Sequence, residues 1–330
     1  MGERTIHSAD YSQPKQEKYI NPYTDFGFKK LFGTEMNKDL LISFLNALFM
    51  GSMREIIDIQ YLNGEQLGDG YGDRRAVFDV YCMTEDGSRF IVEMQKAEQE
   101  YFKDRSLYYA TAPIREQAPK GKWDYRLEGV YCVGLLNFEF PNDEYPAESY
   151  RHEIKLEDIE DHHVFYEKLT FLYLEMPKFN KTEDELVTMF DKWMFALRNL
   201  YRLLERPKAL QDRIFQKLFD QAEIARYSES ERRQYEESRK DYWDYYSTVT
   251  IAEKKGRAEG LAEGMEKGLA EGMEKGLAEG MEKGLAEGME KGQQQEKVET
   301  VRRLQALGLS VDQIAQGAGL TAEEVKSILS

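Results

Sequence analysis

Two acids and an amide, Asp79, Glu93 and Gln95, stand on neighbouring apolar runs joined by a Gly-containing turn, FDVYCMTEDGSRFIVEMQKAE (residues 78–98). Strand alternation puts Phe78, Val80 and Cys82 on one face and Asp79, Tyr81 and Met83 on the other. In the second run Phe90, Val92 and Met94 share a face, and Ile91, Glu93 and Gln95 share the opposite one. The turn decides whether the acids meet. A three-residue loop, Glu85-Asp86-Gly87, uses Gly87 at its left-handed third position and pairs Thr84 with Ser88. Asp79 then falls opposite Glu93, with Cβ atoms about 4.5–5.5 Å apart. A two-residue Asp86-Gly87 loop would send the acids to opposite faces. Like charges this close repel, so the odd loop predicts a divalent-cation site. The ordinary alternative is a solvated outer face. Against it, both strands are apolar on both faces, which marks a central position in a sheet and acids at least partly buried. Buried carboxylates need partners.

The elements that must position these residues are legible around them. NPYTDFGFKKLFG (21–33) is followed by MNKDLLISFLNALF, which reads as an amphipathic helix, and by a polar loop over 63–73. After the hairpin, residues 99–116 have helical spacing through Phe102, Leu107, Tyr108 and Ile114. Strands are expected over 129–140, apolar on both faces, and over 164–176. Strand, strand, helix, strand is an α/β pattern with a mixed sheet. From 183 to about 246 the spacing is helical, with Met189, Phe190, Trp193, Phe195, Leu197 and Leu200 as a packed face.

With 330 residues, 41% hydrophobic and 32% charged, the chain has ample material for a core and a polar extension. Cys82 and Cys132 lie inside apolar runs and read as reduced core residues of a cytoplasmic protein. His162 and His163 lack the spaced partners of a zinc site. No apolar stretch approaches the ~20 residues that cross a bilayer, so no membrane partner is expected. Residues 1–18 carry no signal-peptide core and read as a flexible leader. The net charge of −16 argues mildly against nucleic acid, but the charge is segregated. Lys29, Lys30, Arg74, Arg75, Lys96 and Arg105 flank or follow the acids, while negative tracts lie at 143–148, 153–161 and 183–185. A DNA cleft is permitted, not demanded.

Beyond residue 250 the composition changes. From Gly260 the octapeptide GLAEGMEK repeats in four copies to Lys291. A helical glycine costs about 1 kcal/mol relative to alanine, whereas Glu–Lys pairs four apart return only a few tenths of a kcal/mol each. The tract (251–292) therefore reads as a semi-helical spacer, or as a self-associating right-handed coil that would make a homo-oligomer. The segment 293–330 resembles a helix-turn-helix, with Ala315, Gly319 and Val325 at its small, turn and buried positions and Ile314, Ala318, Leu320 and Ile328 packing. Glu323 and Glu324 against a single Lys326 favour a helical packing hairpin over DNA reading.

Taken together, these residues resemble the recombination-promoting nuclease family, also labelled transposases, within the PD-(D/E)XK nuclease superfamily. The matching marks are D-x-x-F-K-x-x-F at Asp25, Phe28, Lys29 and Phe32, then R-x-x-x-D at Arg75 and Asp79. E-x-Q at Glu93 and Gln95 follows, then Arg105 and Tyr109, and last the Gly-every-fourth tract, so the similarity runs from about Tyr19 to the C-terminus. The resemblance implies a restriction-endonuclease-like α/β fold over 19–250, a four-stranded mixed sheet flanked by helices, followed by an all-helical C-terminal region. It implies a Mg²⁺-dependent (or other divalent-cation-dependent) DNA endonuclease linked to recombination or mobile elements. Asp79 and Glu93 match the metal-binding acids, and Gln95 replaces the usual lysine. Asp25 matches an extra acid near the metal, or else caps the helix that follows. Arg75, Lys96 and Arg105 are the candidates to hold substrate; for Arg105 the alternative is an ordinary surface charge. Two other functions compete: a non-catalytic interaction protein on a nuclease-like fold, and a strand-transferring transposase.

Overall fold

The sheet grows outward from the hairpin, which closes in the register that the odd loop predicts. The computed structural model describes residues 17–66, 76–118, 121–141 and 145–330. Its strands are β1 (Ile59–Tyr61), β2 (Glu65–Gln66), β3 (Ala76–Val77), β4 (Val80–Thr84), β5 (Arg89–Gln95), β6 (Val130–Leu136), β7 (Arg151–Glu157) and β8 (Val164–Glu175). β2 and β3 form a separate small ladder, and the other six make one sheet in the order β1-β4-β5-β6-β8-β7. β4 is antiparallel to β1 and β5, β5–β6 and β6–β8 are parallel, and β7 is antiparallel to β8. The helices are α1 (Asp25–Phe32), α2 (Lys38–Leu48), α3 (Phe102–Arg115), α4 (Met189–Asn199), α5 (Arg213–Ala222), α6 (Glu229–Ala306), α7 (Val311–Ala318) and α8 (Ala322–Leu329).

β5 is central, as its apolar faces require, and it is buried from Phe90 to Gln95. Its even-numbered side chains, Phe90, Val92 and Met94, join Val80 and Cys82 in the main core against α1, α2, α4 and α5. Ile91 points the other way, into a cluster with Tyr81, Cys132 and the α3 residues Ala110 and Ala112. The sheet is thus covered by a thick helical layer on one face and by α3 on the other. α3 has to be there, because parallel β5 and β6 need a crossover between them. Cys82 and Cys132 are free and buried.

Three sequence expectations change. The sheet has six strands, not four: β1 is too short to show a pattern, and β7 reads RHEIKLE, the charged composition of an edge strand. Phe78 packs against Tyr81, ring centroids 5.4 Å apart, not beside Val80 and Cys82. β4 begins only at Val80 and the Phe78 amide bonds to Gly64 O, so strand alternation does not extend back across Asp79. The helical stretch after 183 is broken into α4, α5 and the start of α6 by short 3-10 turns, one of them following Pro207.

The chain divides into two compact units, Met1–Ser247 and Thr248–Ser330. In the first, the opening turns of α6 fasten α1: the Phe26 amide donates to Ser238 Oγ at 3.1 Å, and Lys30 pairs with Glu231 at 2.6 Å. In the second, Val301, Ile314 and Val325 are buried together, with Ala315, Ala318, Leu320 and Ile328 around them. Gly319 stops α7 in the left-handed region at φ +64°, and Thr321 Oγ1 caps α8 by accepting from the Glu324 amide at 3.2 Å. The repeat is helical throughout, within α6. Its non-glycine residues are strong helix formers, which offsets the glycine cost. Its leucines and methionines, from Leu261 to Met289, are 59–70% exposed. No helix among the described residues is long and apolar enough to cross a membrane.

α1 is seated by Phe32, which is fully buried with its ring 5.3 Å from Phe44 and 5.8 Å from Trp193. Phe32→Ala should cost about 3–5 kcal/mol. Urea unfolding of the first unit checks this; a loss below about 1 kcal/mol would mean that the site collapses around the gap.

Candidate active site

The turn that sets the register is stapled by its own side chains. Gly87 has φ +84°, which only glycine adopts without strain. The Thr84 amide donates to Ser88 O at 2.9 Å, closing the three-residue loop. Asp86 Oδ1 accepts from Thr84 Oγ1 at 2.6 Å and from the Ser88 amide at 3.1 Å. Val80 therefore lies opposite Val92, the last rung of the ladder, with Asp79 and Glu93 one residue beyond it on either chain segment.

β4 and β5 do not continue their backbone ladder through that pair; the two carboxylates replace it. Glu93 Oε1 accepts from the Asp79 amide at 3.1 Å, and Asp79 Oδ2 accepts from the Met94 amide at 2.9 Å. Gln95 Nε2 donates to Glu93 Oε2 at 3.0 Å. Each acid thus holds the backbone at or beside the other, and the amide orients Glu93. Glu93 and Gln95 are 9% and 8% exposed, while Asp79 is half-buried.

Burial, first of all, raises both carboxyls above their usual range. Asp79 is raised further by the charge of Asp25, against the Met94 amide and the charges of Lys29 and Lys96. Burial and then the charge of Asp79 push Glu93 up to about 8, against the Asp79 amide, Arg105 and Lys29. Arg105, half-buried on α3, stacks over Tyr109 at 5.0 Å and lines, with Glu93, Gln95, Ser106 and Tyr173, a small cavity of about 30 Å³. That is room for one water.

The donor set fits a hard divalent cation. Two buried, mutually repelling carboxylates supply oxygen ligands, and an added positive charge would relieve both. Among the described residues no cluster of three His, Cys, Asp or Glu side chains could hold a metal, so the remaining ligands would be water or substrate oxygens. Mg²⁺ suits such a site better than zinc.

Of the residues named from sequence, Asp79, Glu93 and Gln95 are joined by hydrogen bonds, with Asp25, Lys96 and Arg105 within electrostatic reach. Asp25 is not the cap of α1: Thr24 Oγ1 takes that place, accepting from the Gly27 amide at 3.0 Å, while Asp25 pairs with Lys29 at 2.8 Å. Arg75 lies outside the described residues. Lys29 is the residue that sequence reasoning left unassigned, although its spacing of four from Asp25 put both on one helix face.

A family model for PD-(D/E)XK nuclease family transposases matches residues 22–252. The match ends before the repeat, so the Gly-every-fourth tract and the tail lie outside the matched region. No curated protein and no solved structure gives a match.

A carboxyl with a raised value binds its proton more tightly in the folded chain than in the unfolded one. The contribution of Glu93 to stability is therefore complete below its ordinary value of 4.5 and is lost as pH rises through about 8. In EDTA the melting temperature should fall from about pH 4.5 to about pH 8, and Glu93→Gln, which cannot titrate, should make the fall shallower. Parallel profiles for the two proteins would mean that Glu93 is ionised throughout.

Proposed function

The chain belongs to the PD-(D/E)XK nuclease family transposases, and from that membership we propose that it is a metal-dependent DNA endonuclease acting through Asp79 and Glu93. The observation that carries the reading is the buried, hydrogen-bonded acid pair at the end of the central strands, with cations around it. Asp79 and Glu93 would hold Mg²⁺ or another divalent cation, which when bound lowers the pKa of a coordinated water and neutralises charge developing on phosphate. Gln95 keeps Glu93 in one orientation and, being neutral, adds no charge of its own. Arg105 and Lys96, whose charges act on the pair, would hold phosphate oxygens. In the reaction, water adds to phosphorus as the P–O3′ bond breaks. The hydroxyl stays on the 5′-phosphate and the proton goes to the 3′-oxygen. Cleavage is favoured over strand joining because one acid pair is the catalytic constellation found among the described residues. A purely non-catalytic role accounts for an acceptor at each position but not for two charges side by side.

Alanine is a poor probe here, because it would also strand a backbone amide. Asp79→Asn and Glu93→Gln keep the hydrogen-bond acceptor and remove the charge. Nicking of supercoiled plasmid with Mg²⁺ or Mn²⁺ should fall at least about 100-fold in each variant, with melting temperatures near wild type. Cleavage that persists in both, or wild-type cleavage in EDTA, would sink the reading.

A further inference from the structure

The polar face of α1 holds one cation that the site has not yet used. Phe28, Leu31 and Phe32 point into the core, and Lys30 is committed to Glu231 on α6 at 2.6 Å. That leaves Asp25 and Lys29, one turn apart, joined at 2.8 Å and about half-exposed. The core cluster that seats α1 also contains Val80, Val92 and Met94, the neighbours of the two acids on β4 and β5. Lys29 accordingly lies within the field of Asp25, Asp79 and Glu93 together. Arg105 reaches Glu93 from α3, which covers the opposite face of the sheet. Gln95, the nearest polar side chain on β5 itself, is neutral and is bonded to Glu93.

We propose that Lys29 is a catalytic residue whose ammonium holds a non-bridging oxygen of the scissile phosphate, opposite Arg105. The assignment rests on the nuclease reading of the Asp79–Glu93 site. The two cations come from helical layers on opposite faces of the sheet and both act on Glu93, so a phosphate lying across the acids would meet one on each side. A phosphodiester is negative from the start and more so at the transition state, so a positioned cation acts on both binding and rate. Half-exposure leaves the lysine stem free to turn from Asp25 to substrate without unpacking α1.

The simpler role for Lys29 is to neutralise Asp25, and the test separates the two. Lys29→Met, Lys29→Arg and the double variant Lys29→Met/Asp25→Asn are compared with wild type in single-turnover plasmid cleavage with Mg²⁺. Affinity for a DNA duplex is measured in Ca²⁺ across a salt series. Lys29→Met should cleave about 100-fold more slowly, and its salt dependence of log affinity should be shallower by about one unit, the loss of one phosphate contact. Lys29→Arg should stay within about tenfold of wild type, and Asp25→Asn should not rescue Lys29→Met. An unchanged salt slope, or rescue by Asp25→Asn, would reduce Lys29 to a structural counter-charge and overturn the proposal. Wild type that binds DNA without cleaving it would fail the nuclease reading, while the salt slope would still judge Lys29.

Discussion

The parity of one turn governs everything at this site. Side chains alternate along a strand, so one residue more or fewer between Thr84 and Ser88 would turn Glu93 away from Asp79. The chain guards that count with a glycine in the left-handed region and with Asp86, whose carboxylate bonds to both ends of the loop. Register then passes inward: Val80 to Val92 is an apolar pair in the main core, and the acids lie one residue beyond it. A slip would bury charge where Val92 packs and drive Phe90 into the tighter α3 face, so the hydrophobic core and the acid pair enforce the same register.

Burial gives the acids their character. Glu93 is held under α3 at the end of a strand that is covered on both faces, and its neighbour carries the same charge. Such a pair is costly without a counter-charge. The chain meets the cost with backbone amides and the Gln95 amide at hydrogen-bond distance, and with Lys29, Lys96 and Arg105 farther out. The amides fix geometry, whereas the cations leave the carboxylates short of full compensation. That shortfall is what gives the site an appetite for positive charge.

The hairpin was legible because its information is local: alternation, a turn residue and two acids on 21 contiguous residues. The parallel neighbours β6 and β8 were equally plain as apolar runs. β7 was not, because an edge strand presents charge to solvent and gives up the pattern that betrays a strand. Phe78 misled for a related reason: it lies one residue outside β4, where alternation no longer holds. At α1 the sequence offers Asp25 as a cap, whereas the Gly27 amide donates to Thr24 Oγ1, a bond that only the folded backbone reveals. Lys29 was visible as a charge four residues from an acid. Its place in the field of Asp79 and Glu93 depends on where α1 is seated in the tertiary fold, which no local pattern announces.

The exchange of bonds between the acids and the backbone also bears on how this chain can drift. In most sites a catalytic carboxylate can decay to any small residue once selection for chemistry lapses. Here Asp79 and Glu93 each satisfy an amide at the end of the sheet, so the fold itself selects for an acceptor at both positions. Retained acids are thus weaker testimony to activity than they would be elsewhere. A lineage that abandoned catalysis would be expected to pass through Asn and Gln, silent in the architecture and dead in the chemistry, before any shorter side chain.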